Sequence, residues 1–563
     1  MKDSVFGWLL PGLPTIVQAE ESTGIGSQRI VRCLALLIGL VNIGQLDGIV
    51  LHAAESSTRP VKLMINWDEQ GMWRSQLEVA KRNKQTLDAS TIKEIIKTAV
   101  DEHGKAGFDR ITYCGWVRFG SPVPGFASAP FQEDYYGRAP GFDRFHDAGL
   151  DQIQVLQHRC HEHDMQFLVG LRMNDRHGIA RHEKFYLEHP EWRLNGAPTA
   201  GGMDYKYDGV RAPVLKFVEE ALQRYDIDGI ELDYMRWCHV FEPSEAVANT
   251  PLLTEFTRRL RRILDEAGCR RGRRLLLGTR VPQTLDECHS LGFDVKTWIQ
   301  DELVDYICPS DFFFTDFNMR VERFASLTES TNCRIYPSIH PLICAGHPEN
   351  IKPMHYRAAA NNYYAMGADG ISTYNFLYNW RRWTGGDRGL VDGWPKTLGY
   401  MTELRDLARI NGRDRQYLFY PLWNYRSESG AIKRDVINVD RKTRVSDRTL
   451  RFRMAEDLSD PNLAATMTFK VTGLADGDEL TVQINGATVP AENMTRTFDA
   501  DGLTPEEDKP LGPFHLYHFI LGDGLTRFGD NQLNVKLVQA TDNVDTGIVV
   551  TRLEVDVKVG TLQ

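Results

Sequence analysis

The sequence predicts an α/β protein, with a (β/α)8 barrel over residues 59–412 and an antiparallel β-sandwich over residues 413–563. Two observations support this prediction. Short apolar runs alternate eight times with segments of helical periodicity between residues 60 and 410, which is typical of a parallel sheet that closes into a barrel. Beyond Gln416 the pattern changes to period-two runs separated by turn residues, which is typical of antiparallel strands.

The eight expected barrel units follow one another along the chain. The strands are predicted at 61–66, 109–114, 165–171, 225–237, 274–280, 303–308, 334–339 and 368–374. The helices are expected near 88–100, 150–163, 210–224, 252–267, 298, 319–328, 354–366 and 395–408, with Asp88 as the N-cap of the first. An open doubly wound sheet is the alternative, but it normally carries a glycine-rich turn after its first strand, and residues 66–69 contain no glycine.

The C-terminal segment is expected to form a β-sandwich with one buried and one solvated face. Alternating runs lie at 466–471, 480–484, 533–537 and 549–557, and Asn485-Gly486 is a hairpin turn signal. Such a domain either binds sugar or braces the barrel. Bracing is slightly favoured, because no row of exposed aromatic residues is evident.

Residues 1–58 are predicted to be an N-terminal extension with an export signal, because Arg29 and Arg32 precede an apolar run over 33–41 and small residues follow. We therefore expect a secreted or periplasmic protein without stable membrane insertion after signal cleavage; a retained anchor is the alternative. The net charge of −10 and the scattered basic residues argue against a nucleic-acid partner. No motif calls for a cofactor.

The stretch over 225–237 combines a buried strand with a cluster of charge. Apolar β-formers are followed by Glu231, Asp233 and Arg236 within six residues. Carboxylates at i and i+2 of a strand point to the same side, and parallel barrels present their functional groups at the carboxyl ends of strands. An Asp–Arg ion pair that closes a loop is the alternative interpretation.

Several motifs resemble the glycosyl hydrolase barrels of exported proteins from polysaccharide-degrading bacteria, over about residues 60–410. The motifs are Tyr225–Asp233 with Met235-Arg236, Arg172–Asp175, and Gly367–Gly370 with Tyr374-Asn375-Phe376. The resemblance implies cleavage of a glycosidic bond and a carbohydrate substrate, with the all-β segment as an accessory domain.

Comparison with better-known barrels narrows the catalytic assignment that the resemblance implies. Chitinase-like barrels carry a catalytic acid where this sequence has Met235, so chitinase chemistry is not expected. Barrels similar to α-amylase place the nucleophile at Asp233, although Glu231 replaces their arginine. Barrels similar to α-galactosidase place carboxylates on strands four and six, which corresponds to Asp233 and Asp311.

Glycoside hydrolysis needs one carboxylic acid as proton donor and one carboxylate as nucleophile or base. Asp233 is the predicted ionised partner. The donor is either Asp311, where the adjacent Phe312–Phe314 favours a protonated carboxyl, or Glu231. The hypothesis requires Asp233 and Asp311 to share a pocket that is open to solvent.

Further strand-end residues are predicted to contact the substrate. Arg172, Arg236 and Arg280 suit an anionic glycan, although each arginine alternatively pairs with a neighbouring carboxylate. The other predicted binding residues are aromatic or polar side chains at the ends of strands: Trp67, Asp68, Trp116, Asn174, Asp175, His177, His340, Asn375 and Trp380.

Two other functions compete with glycoside hydrolysis. A metal bound by Asp68, Asp175, His177 and Asp233 would make the protein a metal-dependent hydrolase, such as a deacetylase, but the spacing does not demand a metal. The third hypothesis is a catalytically inactive glycan-binding protein. The histidine-rich run over 158–163 lies at the opposite face of the predicted barrel, where solvated surface histidines are expected.

Overall fold

The structure is a computed structural model, and it describes part of the chain. The described residues are 60–67, 80, 83–118, 121–122, 150–175, 184–196, 201–311, 314–340, 352–374, 398–419, 436–499, 513–522 and 524–560, with backbone only at 115–118, 121–122 and 184. The predicted export signal in residues 1–58 therefore lies outside the described residues. None of the described helices is both long enough and apolar enough to cross a membrane.

A curled, mostly parallel sheet forms the first part of the fold. Its strands are β1 Leu63–Trp67, β2 Arg110–Arg118, β3 Ser121–Pro122, β4 Gln166–Arg172, β5 Gly229–Asp233, β6 Leu276–Pro282, β7 Tyr306–Ser310, β8 Arg334–Ile335, β9 Ser338–Ile339 and β10 Ile371–Tyr374. The order is β8-β7-β6-β5-β4-β2-β1-β10-β9, and only the short β3 is antiparallel to its neighbour, β2. Each predicted barrel strand overlaps an observed strand.

The two end strands of this sheet, β8 and β9, belong to one chain segment, 334–339. Between them, Tyr336 N donates to Ile307 O on β7 (2.9 Å), and Pro337 O accepts from Ser372 N on β10 (3.1 Å). Since Pro337 has no N–H to donate, it interrupts the strand that the sequence predicts as continuous.

Helices alternate with the parallel strands, as the sequence predicts. They are α1 Ala89–Lys105, α2 Gln152–Glu162, α3 Lys184–Glu188, α4 Asp208–Arg224, α5 Thr250–Arg271, α6 Leu285–Ser290, α7 Val295–Gln300, α8 Val321–Thr328, α9 Pro353–Ala365, α10 Leu398–Thr402 and α11 Leu407–Asn411. Asp88 caps α1 by accepting a hydrogen bond from Thr91 N. The helix predicted at 395–408 is instead two short helices, because the Asp406 side chain caps Ala408 N and starts a new helix there. The sequence did not predict α3 and α6.

Two clusters of buried apolar side chains stabilise the sheet. The larger lies between the strands and the surrounding helices, so that β1 and β5 are buried on both faces, as parallel strands usually are. A smaller cluster is formed by Met64, Leu168, Tyr306, Cys308 and Tyr336, on the other face of the strands. None of the seven cysteines within the described part of the chain forms a disulfide.

The C-terminal part forms two antiparallel sheets. Its strands are β11 Arg415–Phe419, β12 Ile437–Val439, β13 Leu450–Met454, β14 Leu463–Thr472, β15 Glu479–Ile484, β16 Ala487–Thr488, β17 Met494–Asp499, β18 Phe514–Leu521, β19 Gly529–Gln539 and β20 Ile548–Val559. One sheet has the order β11-β20-β14-β18-β17 with β12 also paired to β20, and the other has the order β13-β19-β15-β16. Burial alternates along β13 and β15, and the two sheets contribute to one apolar cluster, which is consistent with a sandwich. Asn485 and Gly486 both have positive φ in the predicted hairpin turn.

A buried polar joint connects the two parts. On α9, Asn362 donates to the main chain of Arg453 and accepts from Ala455 N (2.8 Å each). Within the C-terminal part, Arg415 and Glu456 form a bidentate ion pair of 2.5 and 2.7 Å, with their side chains only 1% and 2% exposed. This pair reaches the first part, because Glu456 accepts from Asn361 Nδ2 on α9 (3.2 Å). These contacts are of the kind that a bracing domain makes with the domain it supports.

Candidate functional site

The carboxyl edge of the parallel sheet collects charged and polar side chains from neighbouring strands. We refer to them as the carboxyl-edge cluster: Arg172, Asp175, Asp233, Arg236, Arg280, Ser310, Asp311, His340 and Tyr374. They converge because parallel strands in register end at the same edge; Arg172, Asp233 and Arg280 are direct neighbours on β4, β5 and β6. All nine are buried. Seven of them were predicted as site residues from the sequence.

An ion pair between Asp233 and Arg280 is the centre of this cluster. Arg280 Nη1 donates to Asp233 Oδ2 (3.1 Å), and the other oxygen of Asp233 accepts from Met235 N (2.9 Å). Arg280 Nη2 donates to Ser310 Oγ (2.8 Å), and the guanidinium carbon lies 3.8 Å from the centroid of the Tyr374 ring. Burial alone would lower the pKa of Arg280, but Asp233 and Tyr374 outweigh it and raise the pKa, so the arginine stays charged.

Ser310 and His340 extend the network away from Arg280. His340 Nε2 lies 2.9 Å from Ser310 Oγ, which also contacts the Asp311 carbonyl oxygen at 2.6 Å. Burial, together with the positive charge of Arg280, holds the pKa of His340 well below its usual value of 6.5. Ser310 Oγ can donate to the Asp311 carbonyl while it accepts from Arg280 Nη2 and from His340 Nε2. In this arrangement neutral His340 carries its proton on Nε2.

A second ion pair joins Arg172 to Asp175. Arg172 Nη1 donates to Asp175 Oδ2 (3.0 Å), and Arg172 Nη2 donates to the Tyr374 hydroxyl (3.0 Å). The alternative sequence interpretation, in which arginines pair with neighbouring carboxylates, thus applies to Arg172 and Arg280. For Arg236, burial lowers the pKa, but Tyr374, Asp175 and Asp233 outweigh it and raise the pKa.

Glu231 lies below the cluster, inside the sheet, and does not face a cleft. Its carboxylate, with 0% exposure, accepts hydrogen bonds from Asn66 Nδ2 (2.5 Å) and Tyr306 OH (2.7 Å). Burial raises its pKa, against the opposing charge of Arg280 and these hydrogen bonds. The alternative in which Glu231 donates the proton, with the Cys238–Phe241 loop bending it over the cleft, does not fit the structure, because these internal partners hold the carboxylate inside the sheet. Asp311 remains the better candidate for the proton donor.

Asp311 follows β7, two strands away from Asp233. Its side chain accepts hydrogen bonds from Gln283 Nε2 (3.3 Å) and Phe314 N (3.2 Å). The register places Asp233 level with Arg280, and Arg280 level with Cys308. Asp311 therefore lies three residues beyond the level of Asp233 along the strand direction, which is roughly 10 Å at about 3.3 Å per residue.

Two predicted substrate-binding residues have other roles in the structure. Trp67 is fully buried between β1 and α1, where its Nε1 donates to His103 Nε2 (3.1 Å), so it cannot stack on a sugar ring. Asn174 bridges backbone groups of Met203 and His239 and thereby positions loops. Asp68, His177, Asn375 and Trp380, and the side chain of Trp116, lie outside the described residues.

In the histidine-rich run at the opposite face, His158 is exposed as predicted, whereas His161 and His163 are only partly exposed and contact carboxylates. His161 pairs with Asp228 (2.9 Å) and His163 with Asp101 (2.8 Å), all partly exposed. Among the described residues, no three His, Cys, Asp or Glu side chains converge in a way that could hold a metal ion. Asp68 and His177, two of the four hypothetical metal ligands, are not among them.

Sequence reasoning missed Ser310 as a site residue and did not assign a role to Tyr374. Ser310 stands directly before the predicted Asp311 at a strand end, and Tyr374 stands directly before the predicted Asn375. The position of each at the carboxyl end of a strand was the available signal.

The cluster is closed to solvent in this structure. Asp233 is only 1% exposed. A cavity of about 290 Å³ is found instead at the opposite, amino-terminal edge of the sheet. The requirement that Asp233 face an open pocket is therefore not met by this conformation.

Comparisons with known proteins give only distant likenesses. No family model and no curated protein sequence matches the chain. Among solved structures, the chain is similar to an endo-β-1,4-mannanase from Thermotoga petrophila, with 10% identity over 90% of this chain and 99% of that chain and a TM-score of 0.43. It is also similar to α-L-fucosidase isoenzyme 2 from Paenibacillus thiaminolyticus, with 13% identity over 56% of this chain and a TM-score of 0.36; the chain spans 46% of that protein.

An N-acetylneuraminic acid synthetase from Leptospira borgpetersenii is similar as well, with 10% identity over 62% of this chain and 84% of that chain and a TM-score of 0.29. These distant structural neighbours thus include glycoside hydrolases and an enzyme of another kind. Because these three TM-scores are below 0.5, the likenesses carry no argument about function. The function must be argued from the residues.

Proposed function

We propose that the protein is an exported glycoside hydrolase that acts through Asp233 and Asp311. The observation that carries the proposal is the Asp233–Arg280 ion pair at the carboxyl edge of a parallel sheet, with a second carboxyl group, Asp311, two strands away. Arg280 donates a charge-assisted hydrogen bond to Asp233, which suits a carboxylate that acts as nucleophile or general base. The Asp311 side chain accepts hydrogen bonds from Gln283 Nε2 and Phe314 N, and we assign it the role of proton donor.

The proposed scaffold is a closed (β/α)8 barrel with a β-sandwich that braces it. The segment 334–339 supports closure, because it hydrogen-bonds to β7 on one side and to β10 on the other. In a closed barrel the carboxyl-edge cluster surrounds the barrel axis, so that side chains at the ends of β5 and β7 point into the same pocket. Export follows from the charged and apolar pattern of residues 1–58.

The proposed substrate is a carbohydrate with a negative charge. The cluster contains three arginines and two ionised carboxylates, which are Arg172, Arg236 and Arg280, and Asp175 and Asp233. It therefore has one positive charge in excess when Asp311 is protonated. A uronate carboxylate or a sulfate ester would balance that charge, and arginine binds both groups through paired hydrogen bonds.

A second candidate function is glycan binding without catalysis. The burial of Asp233 favours it, because both oxygens already have protein partners and only 1% of the residue is exposed. In an enzyme, the residues that cover Asp233 must move apart to admit the substrate. A glycan-binding protein needs only an accessible surface that contacts the glycan.

Release of reducing ends from a panel of uronate-containing, sulfated and neutral polysaccharides tests the proposal. We expect the purified protein to release reducing ends from a charged polysaccharide, and Asp233→Asn and Asp311→Asn each to lower that rate at least 100-fold. Asp286→Asn is the control, because the Asp286 side chain is 87% exposed and forms a surface ion pair with Arg323. Circular dichroism establishes that each variant is folded.

The outcomes separate the candidate functions. Polysaccharide binding without reducing-end release supports the second candidate. Activity that a chelator abolishes and a divalent ion restores supports the metal-dependent alternative. A folded Asp233→Asn variant with full activity would remove Asp233 from the mechanism.

A further inference from the structure

The cavity at the amino-terminal edge of the parallel sheet has the features of a binding site. Arg110, Leu276, Tyr306 and Arg334 line it, and these are the first residues of β2, β6, β7 and β8. The carboxyl-edge cluster lies at the opposite edge of the same sheet. The cavity is therefore independent of the proposed hydrolysis.

Arg110 is a buried cation that has no ionic partner among the described residues. It is 4% exposed; its Nε donates to Gln166 Oε1 (2.9 Å), and its Nη1 points to the Met64 sulfur (3.9 Å). Within the part of the chain that the structure describes, no carboxylate pairs with Arg110, and its Nη2 donates no hydrogen bond. Since a buried charge is normally paired, an anion in the cavity would complete the environment of Arg110.

The carboxylates near Arg110 are held by other groups. Asp305 accepts from Arg274 Nε (2.5 Å) and from Leu277 N (2.7 Å), so neither of its oxygens is free to turn towards Arg110. Three arginines line the cavity; Arg274 pairs with Asp305 and Arg334 pairs with Asp369, so Arg110 is the lining arginine without a carboxylate partner among the described residues. The cavity therefore favours an anion.

The side chains that line the cavity beside Arg110 suit an organic ligand. Its guanidinium carbon lies 4.4 Å from the centroid of the Tyr306 ring and 5.6 Å from that of Tyr336, and Leu276 and Val304 add apolar surface. A volume of about 290 Å³ equals that of roughly ten water molecules at about 30 Å³ each. We propose that the cavity binds a small organic anion, up to the size of a single charged sugar ring, whose carboxylate, sulfate or phosphate group pairs with Arg110.

Calorimetric titration of the full chain with inorganic phosphate, sulfate and glucuronate, and with glucose as the neutral comparison, tests this site. We expect at least one anion to bind the wild-type protein, glucose to bind at least tenfold more weakly than glucuronate, and Arg110→Met to weaken anion binding at least tenfold. Arg323→Gln is the matched control, because that arginine is 54% exposed in a surface ion pair, and it should leave the affinity unchanged.

A second variant keeps the test decisive if Arg110→Met does not fold. Asn332 lies at the partly exposed rim of the cavity, beside Glu302. Asn332→Glu adds a negative charge there without touching the core, and it should weaken anion binding severalfold. The proposal is overturned if no anion binds to the wild-type protein. It is also overturned if Arg110→Met or Asn332→Glu binds the anion with the same affinity as the wild type, because the anion then binds elsewhere.

Discussion

The buried ion pair at the joint between the two parts gives a quantitative test of the structure. Arg415 Nε and Nη2 donate to the two oxygens of Glu456, at 2.5 and 2.7 Å. The Tyr417 hydroxyl (2.5 Å) and Asn361 Nδ2 (3.2 Å) donate to the same carboxylate. Glu456→Gln preserves the shape but removes the negative charge, and it leaves the guanidinium of Arg415 buried without an ionic partner.

The structure sets the expected magnitude of this loss. Removing one partner of a buried ion pair costs about 3–5 kcal/mol of the free energy of unfolding. Arg415 Nη1 also donates to the carbonyls of Ile410 (3.0 Å), Asn411 (2.8 Å) and Arg413 (2.6 Å), and these bonds remain in the variant. They compensate part of the unpaired charge, so we expect a loss near the lower limit, about 3 kcal/mol.

Urea unfolding, followed by fluorescence and circular dichroism, measures the change. The control is Asp286→Asn, which breaks an exposed pair with Arg323 (3.4 Å; side chains 54% and 87% exposed) and should cost about 0–1 kcal/mol. The double variant Arg415→Met/Glu456→Met should recover most of the loss, because it removes both buried charges together. A loss of less than about 1 kcal/mol for Glu456→Gln, or no difference from the control, would refute the reasoning.

Three further predictions concern the interior of the sheet. Because burial raises the folded-state pKa of Glu231 above 4.5, the contribution of Glu231 to stability should fall as the pH rises above 4.5, so Glu231→Gln should gain stability relative to the wild type between pH 4.5 and 7 in urea unfolding. Because the pKa of His340 lies well below 6.5, its ring should stay neutral in NMR spectra at pH 6.5. Below pH 6.5 only the unfolded state should gain the His340 proton, so the contribution of His340 to stability should fall as the pH drops, and His340→Asn should lack this contribution. Gly278→Ala would place a methyl carbon 1.9 Å from the Tyr306 ring and should cost about 1–3 kcal/mol, whereas Gly522→Ala, with nothing within 4 Å, should cost much less in the same unfolding assay.

Local signals in the sequence were enough to predict the elements of the fold. Parallel strands buried on both faces are continuous apolar runs, so each of the eight strands was found within a few residues. Asp88 was recognised as a cap because a short polar side chain before an amphipathic run binds the free N–H groups of the first turn. Two short helices, α3 and α6, were missed, since helices of five or six residues show too little periodicity to be detected.

The orientation of single side chains was harder to predict. Trp67 and Asn66 are neighbours at the end of β1, and successive side chains of a strand point to opposite faces. Asn66 points inward to Glu231 (2.5 Å), so Trp67 must point outward to His103 on α1. The sequence contains this alternation, but nothing local decides which of the two residues faces inward, because the partners are 165 and 36 positions away in the chain.

The interior of the sheet also explains why Glu231 could not be assigned from the sequence. Barrels are usually filled with branched apolar side chains, but here Glu231 is flanked in register by Gly170 and Gly278, which leave room for polar groups from other strands. Tyr306 uses that room: its hydroxyl donates to Glu231 while its ring packs beside Arg110. One tyrosine thus contacts both the carboxylate below the proposed active site and the arginine of the proposed anion site. Such an arrangement depends on which strands are neighbours, and spacing along a single chain does not reveal that.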